Sequence, residues 1–424
     1  MNILKKIVFI LSPHERKRAV LLMLMLLVMA ILDMIGVASI MPFITVLTNP
    51  DIIENNFLLK FTYEYSSIVG VNNVDGFVIL LGILVFFVLV TSLIFKALTN
   101  YIQLRFALMR EYSIGKRLMQ GYLSQPYSWF LNRHSADFGK TILSEVYLVV
   151  SQALVPMISL IANFLVVLAI LILLVIIDPV IAVFISFTFG LTYFLIFRIV
   201  KNYLRTIGTE RLKVNQLRFT SVSEAFGAAK EVKLGGLEYV YIGRFAETSK
   251  IYAKHQATAQ VLSTIPRFIV EAIGFGGIIL VILYFLSKTS NFTSALPIIA
   301  VYAFAGYRVL PSLQKIYNSI SQLRFVGPAL DNLYKELKFN LPNETYKNVD
   351  PLPLEKVISL KNIVFNYPNT KQASSKNINL EIAAGTKVGL VGSTGSGKTT
   401  TADIILGLLE PQEGRLEVDG KVIN

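Results

Sequence analysis

Residues 392–399 read Gly-Ser-Thr-Gly-Ser-Gly-Lys-Thr, and small residues, a lysine and a hydroxyl at this spacing suit one chemistry well. They fit G-x-x-x-x-G-K-[ST], in which glycines let backbone N–H groups turn inward around the phosphates of a nucleotide. Gly392, Ser393, Thr394, Gly395, Ser396 and Gly397 would form that cradle. Lys398 would reach the β/γ oxygens, and the Thr399 hydroxyl would ligate Mg2+, with Thr400 beside it in the first turn of a helix. Lys387 to Val391 reads as a buried strand leading in. Thr400 to Leu409 reads as a helix leading out, its positive end toward the phosphates.

These elements belong to a chain that is far too apolar for a soluble protein. Of 424 residues, 54% are hydrophobic and the mean hydropathy is +0.60, which fits a polytopic membrane protein. The net charge of +13 falls between long apolar segments. The positive-inside rule therefore explains it better than a nucleic-acid surface, and no nucleic-acid partner is expected. Cysteine is absent, which excludes disulfides, cysteine nucleophiles and thiolate metal sites. His14, His134 and His255 are far apart in sequence and suggest no metal centre.

Six apolar segments, at about 19–47, 76–99, 148–176, 179–200, 262–286 and 294–320, are each long enough to cross a bilayer as a helix. Asp178-Pro179 makes a tight turn between the third and fourth. The first follows Lys5, Lys6, Arg16, Lys17 and Arg18. Its apolar run is too long for a signal peptide, so it reads as a retained span. Six basic residues lie in 100–147 and twelve in 198–267, against only Lys60 in 48–75 and Lys288 in 287–293. Both long loops and both termini are therefore expected in the cytoplasm. The second to fifth spans are expected to continue into it as helices. Asn291-Phe292-Thr293 and Asn343-Glu344-Thr345 fit the glycosylation sequon but read as chance matches.

A membrane domain at 1–337 gives way to a linker at 338–356, marked by Pro342, Pro351 and Pro353. From 357 a separate α/β domain begins. Val357 to Leu360, Val364-Phe365 and Ile378 to Ile382 read as strands. Leu416 to Val418 and Lys421 to Ile423 read as a hairpin across Asp419-Gly420.

Six spans, two long cytoplasmic loops, a linker and a phosphate loop together resemble an ATP-binding cassette exporter of the fused half-transporter type. The resemblance implies the type I exporter fold, a homodimer, and ATP with Mg2+ as the driving cofactors. It places Tyr367, in Asn366-Tyr367-Pro368, as the aromatic that stacks on adenine, although a tyrosine packed in the sheet fits the same sequence. Gln125 to Phe130 and Glu224 to Phe245 resemble the two coupling-helix regions, and amphipathic packing alone would produce the same pattern. A narrower resemblance, to bacterial flippases of lipid-linked oligosaccharides, rests on Pro266 to Phe275 and Tyr307 to Ser312. Phe95-Lys96-Ala97-Leu98 adds to it, with Lys where the family pattern has Arg. It implies a membrane-lipid environment, a lipid-linked glycan as substrate, and the bacterial inner membrane as location. A general lipid, drug or peptide exporter is the alternative within transport.

The family carries a glutamine loop, a Leu-Ser-Gly-Gly-Gln signature, a Walker B aspartate with a catalytic glutamate, and a switch histidine after its phosphate loop. None follows Thr399 here, and no histidine follows His255. The nucleotide-binding domain is thus read as truncated after the Walker A region. This chain alone is expected to offer no catalytic residue and not to hydrolyse ATP. A truncated, non-catalytic membrane protein is the contrasting reading.

Asp33, Lys96, Arg267, Glu271 and Arg308 lie within or at the ends of apolar spans. A charge in hydrocarbon costs roughly 2.5–3.5 kcal/mol on insertion scales, so each needs a partner, a cavity or the interface. Arg267 and Glu271 are spaced to pair, and Lys96 can snorkel to the interface. Alternatively Lys96, Arg267 and Arg308 line a substrate cavity suited to an anionic headgroup such as a pyrophosphate.

Overall fold

The computed structural model describes residues 3–66, 71, 73–131, 133–288, 292–339, 351–367 and 375–423. Pro342, Pro368, Asn291 and Asn343-Glu344-Thr345 lie outside them. The chain divides into two compact units, Met1–Lys116 with Ala136–Phe339, and Arg117–Ser135 with Asn340–Asn424.

The first unit is helical. It begins with α1 (Ile3–Ile10), α2 (Pro13–Ala38), α3 (Ile40–Thr48), α4 (Ile52–Asn55) and α5 (Phe57–Ser66). Local chemistry fixes the start of α2. Ser12 accepts from the Glu15 N–H, the Glu15 carboxylate accepts from the Ser12 N–H, and Pro13 occupies the first helical position. After α6 (Val74–Leu123), α7 (Tyr127–Phe130), which belongs to the second unit, and α8 (Ser135–Gly139), the backbone changes pitch. It runs as π-helix over Lys140–Glu145 and again over Val150–Leu154, flanking α9 (Val146–Val149), and then resumes as α10 (Val155–Ile177). Asp178 ends α10 and accepts from the Val180 N–H at 3.0 Å, while Pro179 opens α11 (Pro179–Gly227). That is the turn expected from Asp178-Pro179. The helix α12 (Ala229–Gly235) closes on left-handed Gly236. Two long helices follow, α13 (Glu238–Lys288) and α14 (Phe292–Phe339).

Among the described residues, three helical stretches are long and apolar enough to cross a membrane: Pro13–Thr48, Val74–Leu123 and Ser135–Ile177. They carry the first three of the six segments. The other three segments lie on α11, α13 and α14, which run for 49, 51 and 48 residues. At 1.5 Å per residue each is about 75 Å long, more than twice a roughly 30 Å hydrocarbon core.

The second unit holds a four-stranded sheet of order β2-β1-β3-β4, made of β1 (Val357–Phe365), β2 (Ser375–Ala383), β3 (Glu413–Val418) and β4 (Lys421–Ile423). All pairs are antiparallel. The two strands expected at 357–360 and 364–365 are one strand, irregular around Asn362, whose φ is +54°. The register shifts there bring the backbone so close that a Cβ on Gly414 would lie 2.4 Å from Asn362 O. Asp419 and Gly420 take φ of +52° and +83°, the primed turn expected of Asp-Gly. Leu360, Ile363, Phe365 and Leu416 from the sheet pack on Ile404 and Leu409.

One expectation is corrected. Lys387 to Val391 forms no strand, and Val388, Leu390 and Val391 are exposed by 50%, 40% and 95%. A buried strand needs hydrogen-bonded neighbours, and no described strand pairs with this stretch.

Candidate nucleotide and substrate sites

The phosphate-loop motif sits between this extended stretch and the helix α15 (Lys398–Ile405). The helix starts earlier than its expected first residue, Thr400, because Gly397 takes the left-handed conformation (φ +84°) and caps it. It ends at Ile405, short of the expected Leu409, because left-handed Gly407 (φ +69°) turns the chain: the Gly407 N–H donates to Ile404 O and the Leu408 N–H to Asp403 O.

Within the loop, Gly395 is also left-handed, and Ser396 N–H donates to Ser393 O at 3.2 Å. A Cβ on Gly392 would lie 2.7 Å from Ser396 Oγ, so a side chain there would have to displace that hydroxyl. The Lys398 ammonium donates to the carbonyls of Gly392 and Ser393 at 2.9 and 2.8 Å, which holds the charge over the loop. The first N–H groups of α15 have no acceptor within the helix. A cation, a helix N-terminus and a glycine-walled loop fit the phosphates of a nucleotide. Ser393, Thr394, Ser396 and Thr399 are exposed.

Thr400 is buried, and its Oγ1 lies 3.2 Å from the Tyr367 hydroxyl. Its side chain therefore serves the core, and only its backbone N–H remains for a phosphate. Tyr367 stands edge-on to Phe365 at 5.1 Å. It is thus fastened to the loop's own helix and half-buried.

In the helical unit, Lys96 and Arg308 are brought together and Arg267 is not. The agent is Asp33, fully buried on α2. It accepts from Lys96 Nζ at 2.6 Å, Ser92 Oγ at 2.9 Å and Arg308 Nη1 at 3.1 Å. Three helices thus meet at one carboxylate, and two cations against one anion leave a net charge of +1. The Lys96 and Arg308 side chains keep 32% and 13% of their surface open. Arg267 pairs with Glu271 at 2.6 Å along α13, the local alternative raised by their spacing. The sequence showed Asp33 as a charge within a span, but nothing local pointed to its partners on α6 and α14. A second buried carboxylate, Glu145 in the first π-helical segment, holds Arg211 at 2.8 Å and Asn215 at 2.7 Å.

Helical membrane unit, phosphate loop and sheet define a class in which a transmembrane domain is joined to an ATP-binding domain. Residues 55–307 match the family described as ABC transporter transmembrane region, and residues 375–424 match ABC transporter. The chain belongs to the ABC transporter family. Its architecture is that of an exporter half-transporter. A bacterial Atm1-family ABC exporter with ATP bound superposes with a TM-score of 0.68 at 16% identity, over 96% of this chain and 68% of that one. The ATP-dependent lipid A-core flippase of Thiobacillus denitrificans is 24% identical over 199 residues, 47% of this chain and 34% of the relative. Heavy metal tolerance factor 1 of Caenorhabditis elegans is 29% identical over 194 residues, 45% of this chain and 24% of the relative. The matches thus span about a quarter to a third of these curated relatives.

Proposed function

We propose that this chain is the membrane half and phosphate-loop portion of an ATP-driven flippase for a lipid-linked oligosaccharide or similar anionic amphipath. The observation that carries this reading is the convergence of Lys96 and Arg308 on buried Asp33. A cationic centre with a net positive charge among apolar helices suits a substrate with an anionic group between a lipid tail and a polar head. The similarity to lipid A-core flippases, named for an amphipathic glycolipid, supports that class.

Gly392 to Thr399 would hold ATP, with Lys398 on the β/γ oxygens, Thr399 on Mg2+ and Tyr367 against the base. ATP supplies the free energy. The residues of this chain bind and orient it, and hydrolysis needs a signature motif and a Walker B carboxylate from outside residues 1–424. The working unit is a homodimer in a bacterial inner membrane with both termini cytoplasmic. Gln125 to Phe130 falls in the unit that holds the phosphate loop, which suits a coupling role for that segment.

The test is flipping of a fluorescent lipid-linked oligosaccharide in proteoliposomes, by this chain joined to a segment carrying signature and Walker B. ATP-dependent flipping that Lys398→Ala abolishes is expected. Flipping that survives Lys398→Ala would overturn the assignment of the loop.

A further inference from the structure

The helical unit holds a half-open pocket of about 300 Å3 that neither the phosphate loop nor the Asp33 cluster uses. Its size is at the lower end for small-molecule sites. Three helices build it. The second π-helical segment presents Gln152, α13 presents Gln256 and Gln260, and α14 presents Asn318 and Gln322. Phe325 supplies an aromatic wall, and no acidic or basic residue lines the cavity among the described residues.

The chemistry of this lining is selective. A carboxamide offers donors and an acceptor without net charge. A charged ligand would find no counter-ion here, and an apolar one would leave the amides unpaired. Within the protein the amides are only partly used. Gln322 Nε2 donates to Asn318 Oδ1 at 2.9 Å. Gln256 Nε2 donates to the Tyr252 hydroxyl at 3.4 Å, whereas the side-chain amides of half-buried Gln152 and exposed Gln260 have no protein partner among the described residues. The Ser321 hydroxyl, 1% exposed and also lining the cavity, lies beside the Tyr317 hydroxyl. A buried hydroxyl beside a row of carboxamides suits a ligand with many neutral donors and acceptors. Sugar hydroxyls supply these, and the apolar face of a sugar ring can cover Phe325.

Two structural features set the walls. π-Helical turns are rare and concentrate at functional sites, and Gln152 lies on one. At Phe325 the backbone of α14 runs so close to Gly208 that a Cβ there would lie 2.0 Å from Phe325 O. Along the chain, Gln152 lies near the start of the third span, Gln260 just before the fifth and Asn318 near the end of the sixth. On the positive-inside reading these are cytoplasmic ends, the level of a lipid headgroup before it crosses.

We propose that this cavity binds neutral sugar residues, acetamido sugars included, of the glycan on the transported lipid. The inference rests on the flippase reading above and adds a second contact to it, for the glycan rather than for the anionic linkage.

The test uses the 424-residue chain in nanodiscs with chitotetraose and maltotetraose as soluble probes, read by saturation-transfer NMR. Transfer to at least one sugar is expected, falling at least fivefold in Gln260→Leu/Gln322→Leu and in Gln152→Ala. The single variant guards against misfolding of the double one, checked by thermal unfolding. Absence of transfer from both sugars, or transfer unchanged in correctly folded variants, overturns the proposal. A second arm compares polyprenyl pyrophosphate with and without a glycan. A tenfold preference for the glycosylated carrier, lost in Gln260→Leu/Gln322→Leu, supports the cavity. Equal binding of the two carriers overturns its role while leaving the anion centre standing. If neither carrier binds but the soluble sugars do, the flippase reading fails and the sugar site stands.

Discussion

Asp33 and Arg308, 275 positions apart, meet at 3.1 Å within the apolar helices. The same carboxylate holds Lys96 at 2.6 Å and accepts from Ser92. One buried anion therefore ties α2 to α6 and α14 and keeps two cations together in a low-dielectric setting. Its removal would leave those cations facing each other without compensation.

Asp33→Asn is expected to destabilise the helical unit by about 3–5 kcal/mol, the cost of breaking a buried ion pair from one side. Adding Lys96→Gln should recover part of the loss, because one stranded charge is then gone. Thermal unfolding in detergent measures both. A neutral Asp33→Asn would show that the cluster is not buried in the working protein.

Gly208→Ala tests the close approach of α11 and α14. The new methyl would overlap Phe325 O unless the helices part. Overpacking of this kind costs about 1–3 kcal/mol. The same unfolding assay should show that loss, and saturation transfer to a soluble sugar should weaken with it as Phe325 moves.

Tyr367 separates stacking from packing. Tyr367→Phe keeps the ring and loses the contact with Thr400, so binding of a fluorescent ATP analogue should change little. Tyr367→Ala should weaken it between about two- and tenfold, the range of a lost aromatic contact. Equal binding by all three proteins would mean that Tyr367 only fills the core of the sheet.

Asp419 gives the second unit a pH dependence. Its carboxylate accepts from the N–H groups of Glu355, Val357 and Lys356 at 2.7–2.8 Å. The Glu355 bond leads in holding its pKa below the usual aspartate value. A depressed pKa stabilises the fold fully above the unfolded value of about 3.9 and loses that effect as pH falls through the folded one. Asp419→Asn should therefore be less stable than wild type at pH 7, by a margin that shrinks below about pH 4. Urea unfolding at pH 7 and pH 3, followed by circular dichroism, measures it. An unchanged margin would contradict the linkage, and the group's exposure keeps the effect small.

Local signals were the readable ones. The Asp178-Pro179 turn, the Asp419-Gly420 hairpin and the glycines before Lys398 each act through φ preferences that a few residues carry. Lys387 to Val391 misled for the opposite reason: a strand is defined by its neighbours, and none of the described strands pairs with it. Asp33 was visible as a costly charge in a span. Its partners were not, because three distant helices must assemble before one carboxylate can meet Lys96 and Arg308. The amide cavity left a fainter trace in the i,i+4 pairs Gln256/Gln260 and Asn318/Gln322, each of which lines one face of a helix.

The most direct test of the account measures transport against substrate charge. This chain, joined to a segment that supplies signature and Walker B, would be reconstituted with two fluorescent glycolipids that differ only in carrying or lacking a pyrophosphate between glycan and polyprenol. The account predicts ATP-dependent flipping of the pyrophosphate form, reduced at least tenfold by Arg308→Gln and only partly restored by Arg308→Lys, since a point charge replaces a bidentate fork. The neutral form should move poorly and respond little to either change. Equal flipping of both lipids, or full activity in a folded Arg308→Gln protein, would contradict the claim that the Lys96–Asp33–Arg308 centre receives the anionic group.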